Sequence, residues 1–308
     1  MFVVCGEALM DVFGGGDSAH GLLLDARIGG SPLNVAIGLA RLAQPVAFFG
    51  AVSTGFLGQR LMRALRDEGV AVDAVTRLNA PTTLGLVGLD EAGVPSYAFY
   101  GHGCADRLLP LSALDTVPAA ARAIHFGSYA MVVEPVAQTQ RALVEREHWR
   151  CLIAYDPNIR LNVEPDIQRW RSTLQWMLPR THLLKVSEED LGLLYPSRAP
   201  AELAREWLAQ GVAAVVVTHG AEGARAWRAG EQLRVEPLAV SVVDTVGAGD
   251  TFQAALLTGL AERGVQSREA LRDMASAPWL QVLQFAARAA AITCSRRGAD
   301  MPRRQELS

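Results

Sequence analysis

Short, β-rich apolar runs alternate with helical patterns along almost the whole chain, and that alternation limits the fold more than any other feature. FVVCG (2–6) reads as a strand and SPLNVAIGLARLA (31–43) as a helix, with Ser31 as N-cap and Pro32 at the first helical position. VAFFGAV (46–52) is a strand. FLGQRLMRALRDEG (56–69) is an amphipathic helix that stops at Gly69. AIHFG, CLIAYD, HLLKV and AVVVT continue the series, with helices expected over 134–147, 166–178 and 200–210 and a short one after HLLKV. Buried strands separated by helices predict a mostly parallel sheet covered on both faces. Right-handed crossovers then bring the strand C-termini to one edge, where such sheets bind ligands.

Two stretches break the pattern. TTLGLVGLD and PSYAFY flank the turn EAGV within 82–100 and read as an antiparallel hairpin. Residues 11–28 carry no helical pattern either. Both excursions leave from the ends of early strands, so they are expected to form a small sheet standing over the ligand edge. The expected organisation is an α/β core of residues 1–10, 29–81 and 111–308 with a β lid of 11–28 and 82–110. A decorative hairpin is the alternative.

The 308 residues suffice for one large α/β domain with such an appendage. A net charge of −3 offers no basic field for nucleic acid or an anionic membrane. No apolar run is long enough for a membrane span, and the N-terminus has no signal-like pattern. Cys5, Cys104, Cys151 and Cys294 are scattered without a CxxC, which suits reduced thiols in a cytoplasmic protein. The histidines show no zinc-like spacing. Lys185 is the only lysine in the chain.

The strongest local signal is DTVGAGDTF (244–252), a glycine-rich turn that enters a buried helical run. Amides of Gly247, Ala248, Gly249 and Asp250 are expected to converge on one spot, aided by the helix dipole, and so to form an anion hole. Asp250 is placed to accept a proton from an attacking hydroxyl. A capped helix needs neither two glycines nor the second acid, Asp244. A second signal is GGSPLNVAIGLARL (29–42). Gly29 and Gly30 let the backbone approach a ligand, and Asn34 in the first helical turn suits a hydroxyl; a simple glycine turn into a helix reads equally well. Asp11 is a candidate hydroxyl acceptor. In YDPNIR (155–160), Arg160 suits a phosphate or carboxylate, or a surface ion pair. In KVSEED (185–190) the acids suit either Mg²⁺ held through water or the N-terminus of a helix. Thr218, Gly220 and Gly223 in THGAEGA suit a nucleotide or a β-turn. There is no GxxxxGK[ST], and GAGDTF is not GxGxxG, so P-loop and dinucleotide folds are disfavoured.

Together, GGSPLNVAIGLARL and DTVGAGDTF resemble the two signatures of the ribokinase-like (pfkB-type) carbohydrate kinases, and the resemblance runs in order from VCGEALMD to SRRGAD. CGEALMD, DPNIR, KVSEED and YGHGCAD look most like the bacterial fructokinases of that family. The resemblance implies a three-layer α/β/α core with a central, mostly parallel sheet and a small β-sheet lid. It implies ATP as donor, Mg²⁺ as cofactor, and a sugar acceptor, D-fructose going to fructose 6-phosphate. 2-Keto-3-deoxygluconate, another sugar or a nucleoside is the alternative acceptor, and a catalytically silent sensor on the same fold the rival class.

By resemblance, Asp250 is the base and Gly247, Ala248 and Gly249 the anion hole. Asp11, Gly29, Gly30, Asn34 and Tyr100 lie with the sugar, and Arg160 near the sugar and the transferred phosphoryl group. Lys185, Glu188, Asp190, Thr218, Gly220, Gly223 and Ala287 lie on the nucleotide side. Asp244, Val246, Thr293, Arg296 and Gly298 match a monovalent-cation site for K⁺, where Pro302 departs from relatives that offer a polar ligand. Ser187 and Asp190 stand where many relatives carry Asn and Glu, so Glu188 and Asp190 are both candidates to order magnesium waters. A homodimer through the lids is expected.

Overall fold

The computed structural model describes residues 1–89, 95–228 and 230–307. The expected turn at EAGV lies outside the described residues. The described residues form two sheets. The larger has nine strands, built from β1 (Phe2–Cys5), β4 (Val46–Ser53), β5 (Val75–Leu78), β8 (Ala123–Gly127), β9 (Leu152–Asp156), β10 (Leu183–Ser187), β11 (Ala214–Thr218), β12 (Ala224–Arg228) and β13 (Glu231–Val235). Their spatial order is β13-β12-β11-β10-β9-β8-β1-β4-β5. All neighbours from β11 to β5 pair in parallel; β12 and β13 add an antiparallel edge.

Alternation along each strand explains the three layers. Phe2 and Val4 of β1 face one core and Val3 and Cys5 the other; Val216 and Val215 of β11 divide the same way. The first core takes helices α1 (Ser31–Arg41), α2 (Phe56–Asp67), α7 (Ala248–Ala261), α8 (Arg268–Asp273) and α9 (Ser276–Cys294). The second takes α3 (Val136–Glu147), α4 (Ile167–Met177), α5 (Glu188–Leu194) and α6 (Pro200–Ala209). Sheet order reverses at β1, whose neighbours are β4 on one side and β8 on the other. The crevice beyond the C-terminal ends of β1 and β8 is therefore the topological switch point.

The smaller sheet joins both excursions: β2 (Leu9–Ser18), β3 (Gly21–Gly29), β6 (Leu84–Leu89) and β7 (Pro95–Tyr100), in the order β3-β2-β6-β7. β2 and β3 form their own antiparallel pair, and β2 runs parallel to β6 from Met10 opposite Leu84. The edge strand β3 exposes Leu22, Leu23 and Leu24 at 59%, 57% and 54%.

One local expectation is corrected. Gly30, not Ser31, caps α1, and Ser31 is the first helical residue. Its hydroxyl leaves the backbone alone and reaches across to α7, as the site shows. No helix among the described residues is long and apolar enough to cross a membrane, and all four cysteines are free.

Candidate active site

Helix α7 starts where the sequence places it. Gly247 is its N-cap with φ 78°, a left-handed conformation that favours glycine, and an added Cβ there would lie 2.6 Å from that of Ala299. The Ala248 amide closes a turn onto the Thr245 carbonyl at 3.2 Å. It is therefore not a free donor, contrary to the four-amide anion hole read from the sequence. The Gly249 and Asp250 amides remain at the open N-terminal end of the helix.

Asp250 is buried and sits in the first turn of α7. Ser31 Oγ donates to its Oδ1 at 2.6 Å, and Asn34 Nδ2 donates to its Oδ2 at 2.9 Å. Both donors come from the first turn of α1, which packs directly on α7: a Cβ at Gly38 would lie 2.7 Å from that of Ala254. Close helix packing thus sets the distance between the two signatures. Burial raises the Asp250 carboxyl above the ordinary carboxylate range, opposed by Ser31, Asn34, Lys185 and Arg160.

Asp11, on β2, is pushed up to about 6 by burial, with Arg160 opposing and Asp250 adding to the rise. Gly29 and Gly85 flank its carboxylate from the neighbouring strands; a Cβ at Gly29 would lie 2.1 Å from the carboxylate and one at Gly85 3.0 Å. Asp11, Asn34 and Ile28 line a cavity of about 330 Å³ with Phe13, Arg27 and Val87 of the small sheet. Asp244, Val246, Arg297, Gly298 and Ala299, from the loops before α7 and after α9, complete the lining, so the cavity lies between the small sheet and those loops. Arg160 is exposed at the end of β9, and its Nη1 donates to the Ile159 carbonyl at 2.8 Å.

Lys185 points from β10 toward Asp156 at the end of β9, with Nζ donating to Asp156 Oδ2 at 2.6 Å. Ser187 caps α5 by accepting from the Asp190 amide, so the helix-cap reading of SEED holds at the backbone. The Asp190 side chain nevertheless turns into the site: its Oδ1 accepts from the Ile159 amide at 3.0 Å, and Asp156 and Lys185 act on its charge. Glu188 lies outside, 3.1 Å from His219.

Thr218 and Gly220 stand at the same strand edge; Gly223 directly precedes β12, where the backbone at the end of β13 leaves no room for a side chain. Ala287 lies on α9. Tyr100 ends β7, largely exposed, and does not line the cavity. Asp244 joins two loops, accepting from the Val246 amide at 3.0 Å and the Gly298 amide at 2.8 Å. Thr293 Oγ1 is 2.9 Å from Thr251 Oγ1, and Arg296 pairs with Glu306.

These elements place a buried carboxylate, helix-end amides, an ammonium and a guanidinium around one edge of a parallel sheet. The model of the pfkB family of carbohydrate kinases matches residues 2–305. The chain belongs to that family. As a carbohydrate kinase it is an enzyme that transfers a phosphoryl group to a sugar. Similar proteins include a fructokinase from Rhizobium leguminosarum bv. trifolii, 34% identical with 84% of this chain and 79% of the relative covered. A fructokinase from Escherichia coli is 32% identical, with 99% and 97% covered. Among solved structures, an ATP-bound fructokinase from Xylella fastidiosa superposes with a TM-score of 0.87 at 27% identity, covering 99% of this chain and 96% of that one. A Vibrio cholerae O395 fructokinase with fructose, ADP and calcium ion bound gives 0.82 at 26% identity, covering 99% and 97%. The fold and the family expected from the sequence are therefore correct.

Three residues of this carbohydrate kinase have roles that the sequence does not display. Ser31 reads as a cap. Asp156 opens DPNIR, where Arg160 is the more conspicuous side chain. Glu7, after β1, is buried with one carboxylate oxygen unpartnered, and burial lifts it to about 8. Each lies inside a motif, Glu7 in CGEALMD, Ser31 in GGSPLNVAIGLARL and Asp156 in DPNIR, but only contacts between distant elements show what the side chain does.

Proposed function

We propose that this kinase transfers the γ-phosphoryl group of ATP to the 6-hydroxyl of D-fructose. The observation that carries the reading is Asp250, a buried carboxylate held by Ser31 and Asn34 at the N-terminal end of α7. Asp250 takes the hydroxyl proton as the acceptor oxygen bonds to the γ-phosphorus. The bond from that phosphorus to the β–γ bridging oxygen breaks, and ADP leaves with its electron pair. The Gly249 and Asp250 amides and the helix dipole stabilise charge on the phosphoryl oxygens without reorganising. Asp11 and Asn34 read acceptor hydroxyls, and Arg160 balances charge beside Asp11 and Asp250.

Magnesium, when bound with ATP, neutralises phosphate charge. Among the described residues no cluster of three or more acidic, histidine or cysteine side chains would cage a metal. A magnesium ion that keeps its waters and rests on phosphates needs only one or two carboxylates. Asp190 fits that need best, beside Lys185 and Asp156, and Glu188 is the outer alternative. Asp244 already accepts two amide hydrogens, so no step is assigned to K⁺.

Strands over 11–28 and 82–110 are the lid in this reading. Closing it over the cavity excludes water and suppresses ATP hydrolysis. The leucine-bearing β3 edge pairs with a second copy, giving a homodimer in the cytoplasm.

Arg27 and Arg297 also line the cavity, and they favour a second reading in which the acceptor carries a carboxylate. The deciding experiment is a side-by-side coupled assay with fructose, 2-keto-3-deoxygluconate, ribose and adenosine. Fructose is expected to have the highest kcat/KM. A preference for the keto acid would transfer the assignment to the second reading, and no turnover with any acceptor would point to a sensor.

A further inference from the structure

Lys185 and Asp156 form a charged pair that is almost closed off from water, with exposures of 4% and 2%. Lys185 stands between Leu184 and Val186, which face the α3–α6 layer, so its own side chain faces α7. A Cβ at Gly249 would lie 3.1 Å from Nζ. The ammonium therefore lies against the first turn of α7, next to the helix-end amides. It has three donors, and Asp156 takes one. The second Asp156 oxygen is buried without a partner. A buried ion pair of this kind is a poor source of stability compared with apolar packing, so its placement calls for a reason.

We propose that Asp156 is a positioning residue, which holds the Lys185 ammonium at the floor of the anion hole so that its remaining N–H groups meet the transferring phosphoryl group. The inference rests on the proposed reaction and adds to it the residue that keeps the cation aimed. The charged groups around Lys185 are Asp156 on β9, Asp250 on α7 and Asp190 on α5. His125 on β8 is held neutral, lowered to about 4 by burial, with Nδ1 3.3 Å from Gln253 Nε2 of α7. Burial alone pulls the Lys185 ammonium toward losing its proton. Asp156 is the largest opposing influence, and together with Asp250 and Asp190 it carries the balance upward. Without the Asp156 charge, burial gains the upper hand, and the proton leaves at a lower pH.

Because Lys185 is the only lysine, protein labelled with carbon-13 at lysine Cε gives one resonance that reports this ammonium directly. In the wild-type enzyme that resonance should not titrate between about pH 6 and about pH 9.5. It should shift when the non-hydrolysable β,γ-imido analogue of ATP binds with magnesium. In Asp156→Asn the titration midpoint should move into the window. Its kcat should then fall by roughly tenfold for each pH unit above that midpoint, with less loss near pH 6 and little change in acceptor KM. Asp156→Asn should cost nothing further in a Lys185→Met background.

The proposal is overturned if the wild-type resonance titrates in the window or ignores the analogue. It is also overturned if a folded Asp156→Asn loses the same rate at every pH, or if it costs as much without Lys185. Should Asp156→Asn fail to fold, the two wild-type readings decide. A protein inactive on every sugar would defeat the kinase reaction but leave the resonance as a separate report on the pair.

Discussion

Ser31→Ala removes a single hydroxyl, the 2.6 Å donor to Asp250 Oδ1. A hydrogen bond to a charged group contributes about 1.5–3 kcal/mol, and one pKa unit corresponds to about 1.4 kcal/mol. Ser31 is the first of the groups that oppose the rise in Asp250 proton affinity caused by burial. Its loss should therefore move the Asp250 step upward by roughly 1–2 pH units. The sign follows from the role: the base must be an anion to take the acceptor proton, so activity is lost as pH falls through its pKa. In Ser31→Ala that loss begins at a higher pH, while the rate on the alkaline plateau changes only a few-fold because a freed carboxylate is the stronger base. The assay is kcat/KM for the acceptor from about pH 5 to about pH 9, by coupled ADP release, with Ser31→Thr retaining the donor. A Ser31→Ala profile lowered equally at all pH values, with its acid limb unmoved, would refute the reasoning.

Asp11 should contribute its own step to the wild-type kcat/KM profile at about 6, and Asp11→Asn should abolish it while raising acceptor KM; a profile flat to pH 5 would count against this role. Asp190→Asn should raise the Mg²⁺ concentration for half-maximal rate more than Glu188→Gln does, and equal insensitivity of both would reduce the segment to a helix cap. Leu23→Glu on the exposed β3 edge should convert a dimer to a monomer in light scattering, with the melting temperature kept; a dimer that survives would place the interface elsewhere.

The parallel core was legible because its signals are local. FVVC and AVVVT are β-branched runs, AIHFG, LIAYD and LLKVS short apolar ones, and α2 carries its apolar face at helical spacing. The two glycine signatures were legible for the same reason. What escaped depends on pairing between distant segments. A small sheet of the two excursions is expected, but the parallel match of β2 to β6 that joins them is not, since no turn announces it. Ser31 looked like a cap because Ser before Pro is a good helix start; its partner lies 219 positions away. Asp156 was hidden in DPNIR because its meaning comes from Lys185 on the adjacent strand. Electrostatics was the least legible layer. Asp11 at about 6 and Glu7 at about 8 owe their shifts first to burial, which a linear sequence does not display.

The central claim is that Asp250 takes the acceptor proton at the N-terminal end of α7. Asp250→Asn is nearly isosteric, keeps a partner for Ser31 and Asn34, and removes the base. Its kcat with saturating fructose and ATP, measured beside the dissociation constant for ATP, is the most direct test. The account predicts a fall in kcat of roughly 10²–10⁴-fold with ATP affinity little changed. A kcat within a few-fold of wild type would contradict it.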